Sequence, residues 1–293
     1  MPLALLVNPS SGHGRARRLL PKVEYALDKR RIEFRVEQTR SAEHAIDEAN
    51  RAVEAGEVPV VMSGDGLIGI VGGALAGYEV PLGIVPSGRG NDLARVLGIP
   101  SEPDGAVAVL AAGETRQIDI GEANGQRFIG IASTGFDSDA NRIANESRLF
   151  RGNLVYAYAA IRALAGWKSA RFTVRAGEDR LRFTGWGIAV ANNKAYGGGM
   201  YAAPDALLDD GEFDIVMLGD VGKSRFVRRI LLKAFKGTHI EDEAVKVFRA
   251  PFLELSASRP FAVYADGEHL TDLPAALRIL PRALTVIAPQ ATA

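Results

Sequence analysis

The 293-residue sequence contains no cysteine, which excludes disulfides, thiolate metal sites and a cysteine nucleophile together and fits a reducing compartment. It also lacks an excess of charge. With 35 basic and 35 acidic residues the formal net charge is +0, so no bulk field draws the chain to nucleic acid and an anionic partner must meet a local patch. No apolar run approaches the roughly 18 residues of a membrane-spanning helix. The opening MPLALLVNPSSG has no basic segment before its short apolar run, which argues against a signal peptide. The expectation is a cytoplasmic protein whose membrane contact is peripheral. The four histidines, His13, His44, His239 and His269, show no metal-ligand spacing. What is present is ordinary for a folded chain, 47% hydrophobic and 24% charged, at a length that suggests two domains.

The first 120 residues alternate short apolar runs with helix-like spacing. Leu3 to Val7 precedes a helical pattern at Arg15 to Leu27. Ile32 to Val36 precedes Ala42 to Ala55, Val58 to Met62 precedes Leu67 to Leu75, and Leu82 to Val85 precedes Asn91 to Leu97. This rhythm predicts a doubly wound α/β domain, a parallel sheet with ligands at the carboxyl ends of its strands. From about Thr115 candidate strands follow one another, with helical patterns only near Leu154 to Leu164 and Ser224 to Phe235. A β-rich sandwich with helical insertions is expected there. The division is placed at 1–120 and 121–293, with a cleft between the domains as the default active site.

Three loops at predicted strand ends could hold phosphate: Asn8 to Gly14 (NPSSGHG), Ser63-Gly64-Asp65-Gly66, and Pro86 to Arg95 (PSGRGNDLAR). Glycines permit tight turns and close ligand approach, and the amides at a helix start attract anions. Each loop also has a plainer reading, as an ordinary turn, as a helix cap by Asp65, or as an Asn-Asp cap. Three at successive crossovers of one sheet together favour a nucleotide, although neither the P-loop nor the dinucleotide fingerprint is present.

The combination of NPSSG, SGDGL, PLGIVPSGRGNDLARVLGIP, FIGIASTGFDSDANRIAN, GGGMYAAPDALLDDGEFDIV and YADGE resembles the diacylglycerol kinase and sphingosine kinase superfamily, close to its bacterial members. The resemblance spans nearly the whole chain in order. It implies an NAD-kinase-like and diacylglycerol-kinase-like α/β nucleotide domain followed by a β-rich lipid domain, with ATP and Mg²⁺ as cofactors. Carried over by position, it implies nucleotide contacts at Asn8, Pro9, Ser10, Ser11, Gly12, Thr39, Ser63, Gly64, Asp65, Gly66, Leu67, Gly88 and Arg89. Asp65, Asp92 and Asp119 fall where the family carries active-site acids, and Glu268 matches the proposed general base. Asp65 is the alternative base, with Glu268 favoured and Asp65 assigned to the metal. Leu207, Asp210 and Glu212 fall where bacterial relatives resemble a structural Mg²⁺ site.

The implied reaction is transfer of the ATP γ-phosphate to the hydroxyl of a membrane lipid, with diacylglycerol the first substrate expected. The implied partners are that lipid and the membrane surface, with no nucleic acid; a homodimer stays open. Rival readings are a sphingoid-base kinase, an NAD kinase, and a catalytically silent binding protein. The silent reading draws on departures from the family pattern at Ile70 and Arg89, whereas Leu67, also a departure, has precedent in the SGDGL of sphingosine kinases. KSRFVRRILLKAFK (223–236) reads either as a basic membrane-surface helix or as a packed helix with a solvated side. Leu154 to Trp167, apolar nearly all round, is core or part of an acyl pocket.

Overall fold

The computed structural model describes residues 1–147 and 153–290, with the side chains at 153, 154, 156 and 157 outside that description. Two compact units emerge, one of Met1–Ile120 joined by residues from Leu280 onward, the other of Gly121–Ile279.

In the first unit β1 (Leu3–Val7), α1 (Ser11–Lys29), β2 (Phe34–Gln38), α2 (Ala42–Glu54), β3 (Val58–Ser63), α3 (Asp65–Leu75) and β4 (Gly83–Pro86) alternate as the sequence rhythm predicts. Two helices, α4 (Asp92–Val96) and α5 (Pro103–Ala112), and then β5 (Thr115–Ala123) complete the first pass. The strands form a parallel sheet in the order β2-β1-β3-β4. Strands β1, β3 and β4 are buried throughout, which is why LALLV and VPVVMS read as continuous apolar runs rather than alternating ones. The strand order reverses between β1 and β3, the kind of switch point where α/β sheets open a crevice at their carboxyl ends.

In the second unit β6 (Gln126–Phe128), β7 (Ile131–Gly135), α6 (Phe136–Glu146), α7 (Asn153–Gly166), β8 (Ala170–Ala176) and β9 (Asp179–Ala191) are followed by the small hairpin β10 (Ala195–Tyr196) and β11 (Met200–Tyr201). Then come β12 (Phe213–Gly219), β13 (Val245–Ala250), β14 (Phe252–Ala257), β15 (Ala262–Ala265), β16 (Glu268–Asp272) and β17 (Ala275–Ile287). They build an antiparallel sheet in the order β16-β15-β7-β9-β8-β14-β17-β5-β6, with β12 pairing β9 and β13. Its core is aromatic: Phe226 stacks on Trp186 at 3.7 Å and 5°, and Phe136 meets Trp167, Trp186 and Phe226 edge-on.

The chain passes between units in β5 and returns in β17. The return departs from the expected 121–293 domain: Leu82 N–H donates to Thr285 O (2.9 Å), Ile287 N–H to Leu82 O (2.9 Å), and Ala288 N–H to Glu114 O (3.0 Å), all within the first unit. The sequence hides this because β17 is one continuous strand whose second part, from Leu280, joins the first unit.

The stretch 223–236 is helical, but its middle, Phe226–Leu231, is a π-helix. Phe226 and Ile230 are buried in the aromatic core, as a packed helix requires, yet Leu232 and Phe235 are 58% and 53% exposed beside Arg228, Arg229 and Lys236. The apolar pattern at 154–167 forms α7 and its exit. Val155, Ala159, Ala163 and Trp167 are buried, whereas the side chains of Leu154 and Tyr156 lie outside the described residues.

Candidate active site

The three glycine-bearing loops leave the carboxyl ends of β1, β3 and β4, which are neighbours in one parallel sheet and therefore gather the loops side by side. Backbone bonds continue the ladder beyond the strands: Asn8 N–H donates to Met62 O (3.1 Å) and Ser87 N–H to Ser63 O (2.8 Å). Side chains tie the first two loops together, since Asn8 Nδ2 donates to Ser63 Oγ (3.4 Å) while Asn8 Oδ1 accepts from the backbone N–H and hydroxyl of Ser10. Thr39, at the end of β2, donates its backbone N–H (2.8 Å) and hydroxyl (3.3 Å) to Val7 O.

The loops approach so closely that only glycine fits. A Cβ on Gly88 would stand 2.4 Å from Gly64 Cα, and one on Gly12 2.5 Å from Ser87 O. In the first loop Gly12, His13 and Gly14 are successively left-handed (φ +57°, +57° and +82°), a run that bends the chain before the regular part of α1. For His13 this conformation costs about 1–2 kcal/mol, a strain that a plain turn would have no reason to keep. Successive amides in such a turn point into one concavity, the geometry of a backbone anion nest. Under the third loop the Ser87 hydroxyl is fully buried with no hydrogen-bond partner among the described residues.

Asp65 does not cap its own helix. Its Oδ1 accepts the backbone N–H of Leu93 (3.0 Å), so the acid of the second loop reaches across to the start of α4. Burial is the largest influence on its carboxyl and raises it, the nearby Asp92 charge adds in the same direction, and the backbone donors oppose both. Asp92 is buried and paired with Arg95, whose other arm donates to Gly90 O (2.8 Å). Asn91, absent from the expected site, holds the third loop closed: its side chain accepts from Gly88 N–H (2.8 Å) and donates to Gly88 O (3.1 Å), at φ +51°. Asn is among the few residues that tolerate this conformation, and that was the available signal. The structure thus brings together Asn8, Ser63, Gly64, Asp65, Gly88 and Asp92. Asp119 is placed differently. It is fully buried on β5 and its Oδ1 accepts the backbone N–H of Arg282 (2.7 Å), anchoring the returning strand.

Glu268 belongs to the second unit, at the start of β16 beyond the turn Asp266-Gly267. It is exposed, and partial desolvation by its surroundings raises its carboxyl. The turn is pinned by groups the sequence reading left unassigned. Asp266 is left-handed (φ +53°) and its Oδ2 accepts from the N–H of Gly130 (3.1 Å) and of Ile129 (3.4 Å). Gly130 has no room for more, since a Cβ there would meet Asp266 Oδ1 at 1.8 Å. Asn145 Nδ2 donates to Gly267 O (3.3 Å).

In the turn ALLDDGE the carboxylates meet an arginine. Asp210 accepts the N–H of Glu212 on Oδ1 (3.2 Å) and pairs through Oδ2 with Arg249 (2.8 Å), which also reaches Asp214 (3.3 Å) and Glu212 (4.0 Å). A guanidinium therefore supplies positive charge to the Asp210 and Glu212 carboxylates, in the turn where the Asp210 side chain and the backbone carbonyls of Leu207 and Glu212 were expected to hold Mg²⁺.

The sequence profile of the diacylglycerol kinase catalytic domain matches residues 2–123, and that of the YegS C-terminal NAD kinase beta sandwich-like domain matches 130–288. The chain belongs to the diacylglycerol kinase family. Within the family it is 33% identical to a diacylglycerol kinase of Mycobacterium tuberculosis over 97% of this chain and 94% of that protein. It is 29% identical to one of Bacillus subtilis over 98% and 96%. The crystal structure of a diacylglycerol kinase from Bacillus anthracis shares the fold, with a TM-score of 0.77 at 22% identity, covering 100% of this chain and 98% of that one. Membership of this family makes the protein a lipid kinase, with the α/β nucleotide-type unit and β-sandwich expected of one.

Proposed function

We propose that the protein transfers the γ-phosphate of ATP to the free hydroxyl of diacylglycerol, giving phosphatidic acid, at a membrane surface. The observation that carries this is the glycine cradle of Gly12, Gly64 and Gly88 with Asp65 held beside it. Side chains are excluded at Gly12 and Gly88 by contacts of 2.5 and 2.4 Å and crowded at Gly64 by one of 3.1 Å, which leaves backbone amides to meet an anion. The orphaned Ser87 hydroxyl fits the same reading.

When bound, ATP with Mg²⁺ supplies the electrophilic phosphoryl group and neutralises its charge. The chain's own residues then divide the work. The first-loop amides of Gly12 and His13 cradle phosphate oxygens, those of Ser11 and Gly14 being bonded to Asn8 O and Ser10 O, and Asn8 with Ser63 fixes that loop against the second. Asp65, aimed by Leu93 N–H, is the carboxylate placed to hold the cation, and Asp92 shapes its charge. Glu268 takes the proton from the acceptor hydroxyl, a task for which a raised carboxyl is suited. Asp266 sets the backbone from which Glu268 projects. Membrane contact is supported by the exposed Leu232 and Phe235 among basic neighbours, the composition of an interfacial helix.

Purified protein with labelled ATP and a panel of diacylglycerol, monoacylglycerol, sphingosine, ceramide and NAD tests the assignment. Label in phosphatidic acid is the expected result. Label on sphingosine or NAD instead, or on no acceptor, overturns it.

A further inference from the structure

The outer face of strands β8, β9 and β14 carries an excess of positive charge that a single carboxylate among the described residues offsets only in part. Pairing registers place Arg171 beside Thr184, Thr173 between Arg182 and Ser256, and Arg175 between Arg180 and Glu254. Partners in such rows point to one side, and the alternate positions, Phe172 and Val174, face the core. The face is therefore a grid of four arginines and three hydroxyls with a single carboxylate, Glu254, which pairs with Arg175 at 3.5 Å. Arg171, Arg180 and Arg182 are exposed and make no ion pair among the described residues. The repulsion is registered on Arg180, whose hold on its proton is weakened first by Arg182, then by desolvation and by Arg175.

Between the first two rows lies a cavity of about 490 Å³, whose polar lining is Arg171, Arg182, Thr173, Thr184, Ser256 and Ser258, with Phe172, Phe183 and Ala257 also contributing. Guanidinium forks and hydroxyls are the donor set that grips phosphate oxygens, bidentately where an arginine presents its planar edge. In a chain of net charge +0 this cluster is a local anion-attracting field.

We propose that this face docks the protein onto anionic phospholipid, the cavity receiving a phosphate headgroup. Its choice of occupant rests on the lipid kinase reading, because a lipid acceptor must be met at a bilayer surface. Charge complementarity supports the same choice: a sheet face presents its arginines in rows to a plane of phosphates, and the headgroups of anionic lipids supply such a plane. A nucleic acid is disfavoured by the absence of an exposed aromatic ring among the residues of this grid, since strand-tolerant binding to single strands relies on stacking as well as charge.

The test is co-sedimentation of the full chain with vesicles of phosphatidylcholine alone and of phosphatidylcholine mixed with phosphatidylglycerol. The wild type and the triple variant Arg171→Gln, Arg180→Gln, Arg182→Gln are compared, their folding checked by circular dichroism and thermal melting. The wild type is expected to prefer the anionic vesicles, and each arginine removed should weaken that partition about fivefold. Phosphorylation of a short-chain, monomerically dispersed acceptor should be unchanged in the variant. Equal binding of wild type and variant to anionic vesicles overturns the proposal. So does equal binding of the wild type to neutral vesicles, or capture by a single-stranded oligonucleotide in place of the vesicles. Arginine-dependent vesicle binding in a protein that phosphorylates no acceptor would support this docking face while removing the kinase assignment, so the two readings fail separately.

Discussion

The two units build their polar sites by opposite means. In the first, backbone does it: Gly12, Gly64 and Gly88 let three loops approach within contact distance, and the groups proposed to face a ligand are amides. In the second, side chains drawn from distant strands converge. Arg249 reaches Asp210, Glu212 and Asp214, and Asp266 reaches Ile129 and Gly130 across 137 and 136 residues of sequence. Another such cluster joins Ser133, Asp137 and Tyr196, where the buried Asp137 carboxyl is pushed up by desolvation against the donors that hold it. A site made of backbone tolerates little substitution at its glycines and much elsewhere, whereas a site made of side chains fails piecemeal.

The largest expected effect breaks the backbone-built site at one atom. Gly88→Ala places a methyl 2.4 Å from Gly64 Cα, a backbone atom that cannot swing aside. The strands beneath must separate, with a stability loss of about 1–3 kcal/mol for overpacking and turnover reduced below detection. Thermal melting and the labelled-ATP assay read both. Normal activity in this variant would refute the cradle.

Asp65→Asn is the next largest, and it separates function from stability in the same unit. Removing the carboxylate proposed to hold the cation should lower kcat about 10²–10³-fold, the scale for losing one electrostatic contact in a transition state. Stability should not fall with it. The folded-state carboxyl is raised, so the native protein holds the proton more tightly than the unfolded chain does. Ionisation therefore costs stability as pH rises from the ordinary carboxylate range through the raised one. The variant, which cannot ionise, is expected to be at least as stable as the wild type at neutral pH. That advantage disappears below the ordinary carboxylate range, where both forms are neutral. Melting curves across pH measure it, and a variant less stable at neutral pH than at acid pH relative to wild type contradicts the account.

The same contrast explains what could be read from the sequence. The first unit was legible because its signals are local. An apolar run, a glycine-bearing loop and a helical pattern lie within about twenty residues of each other, and the helix-cap and turn preferences act over that range. Most strands of the second unit were found by β-branched and aromatic content, though not the hairpin β10–β11 or the polar β16, and their partners were not, because pairing such as β9 with β12 depends on tertiary packing. Asp119 shows the limit. Its position in sequence matched an active-site acid, while its geometry makes it the anchor for Arg282 across 163 residues. Arg249 shows it again. Nothing near ALLDDGE announced that a strand 35 residues beyond Asp214 would deliver the counter-charge expected from a metal.

The smallest expected effects come from two ion pairs of equal length, one in each unit, and they isolate burial from distance. Arg249 Nη2 and Asp210 Oδ2 are 2.8 Å apart, as are Arg30 Nη1 and Asp104 Oδ1. Behind Arg249, however, stands Asp214, whose side chain is only 6% exposed, whereas Asp104 is 69% exposed. Arg249→Ala leaves a desolvated carboxylate without its donor, a penalty of about 1–3 kcal/mol. Burial already raises the Asp214 carboxyl, and loss of the guanidinium, which lowers it, raises it further. The destabilisation should accordingly shrink as acid protonates Asp214. Arg30→Ala should leave the melting temperature within experimental error, because water and salt screen an exposed pair and its ordering entropy offsets the remainder. Neither variant should change turnover. EDTA should leave the melting temperature of the wild type unchanged, and a Mg²⁺-dependent rise that disappears in Asp210→Asn would show that a cation, rather than Arg249, closes this turn.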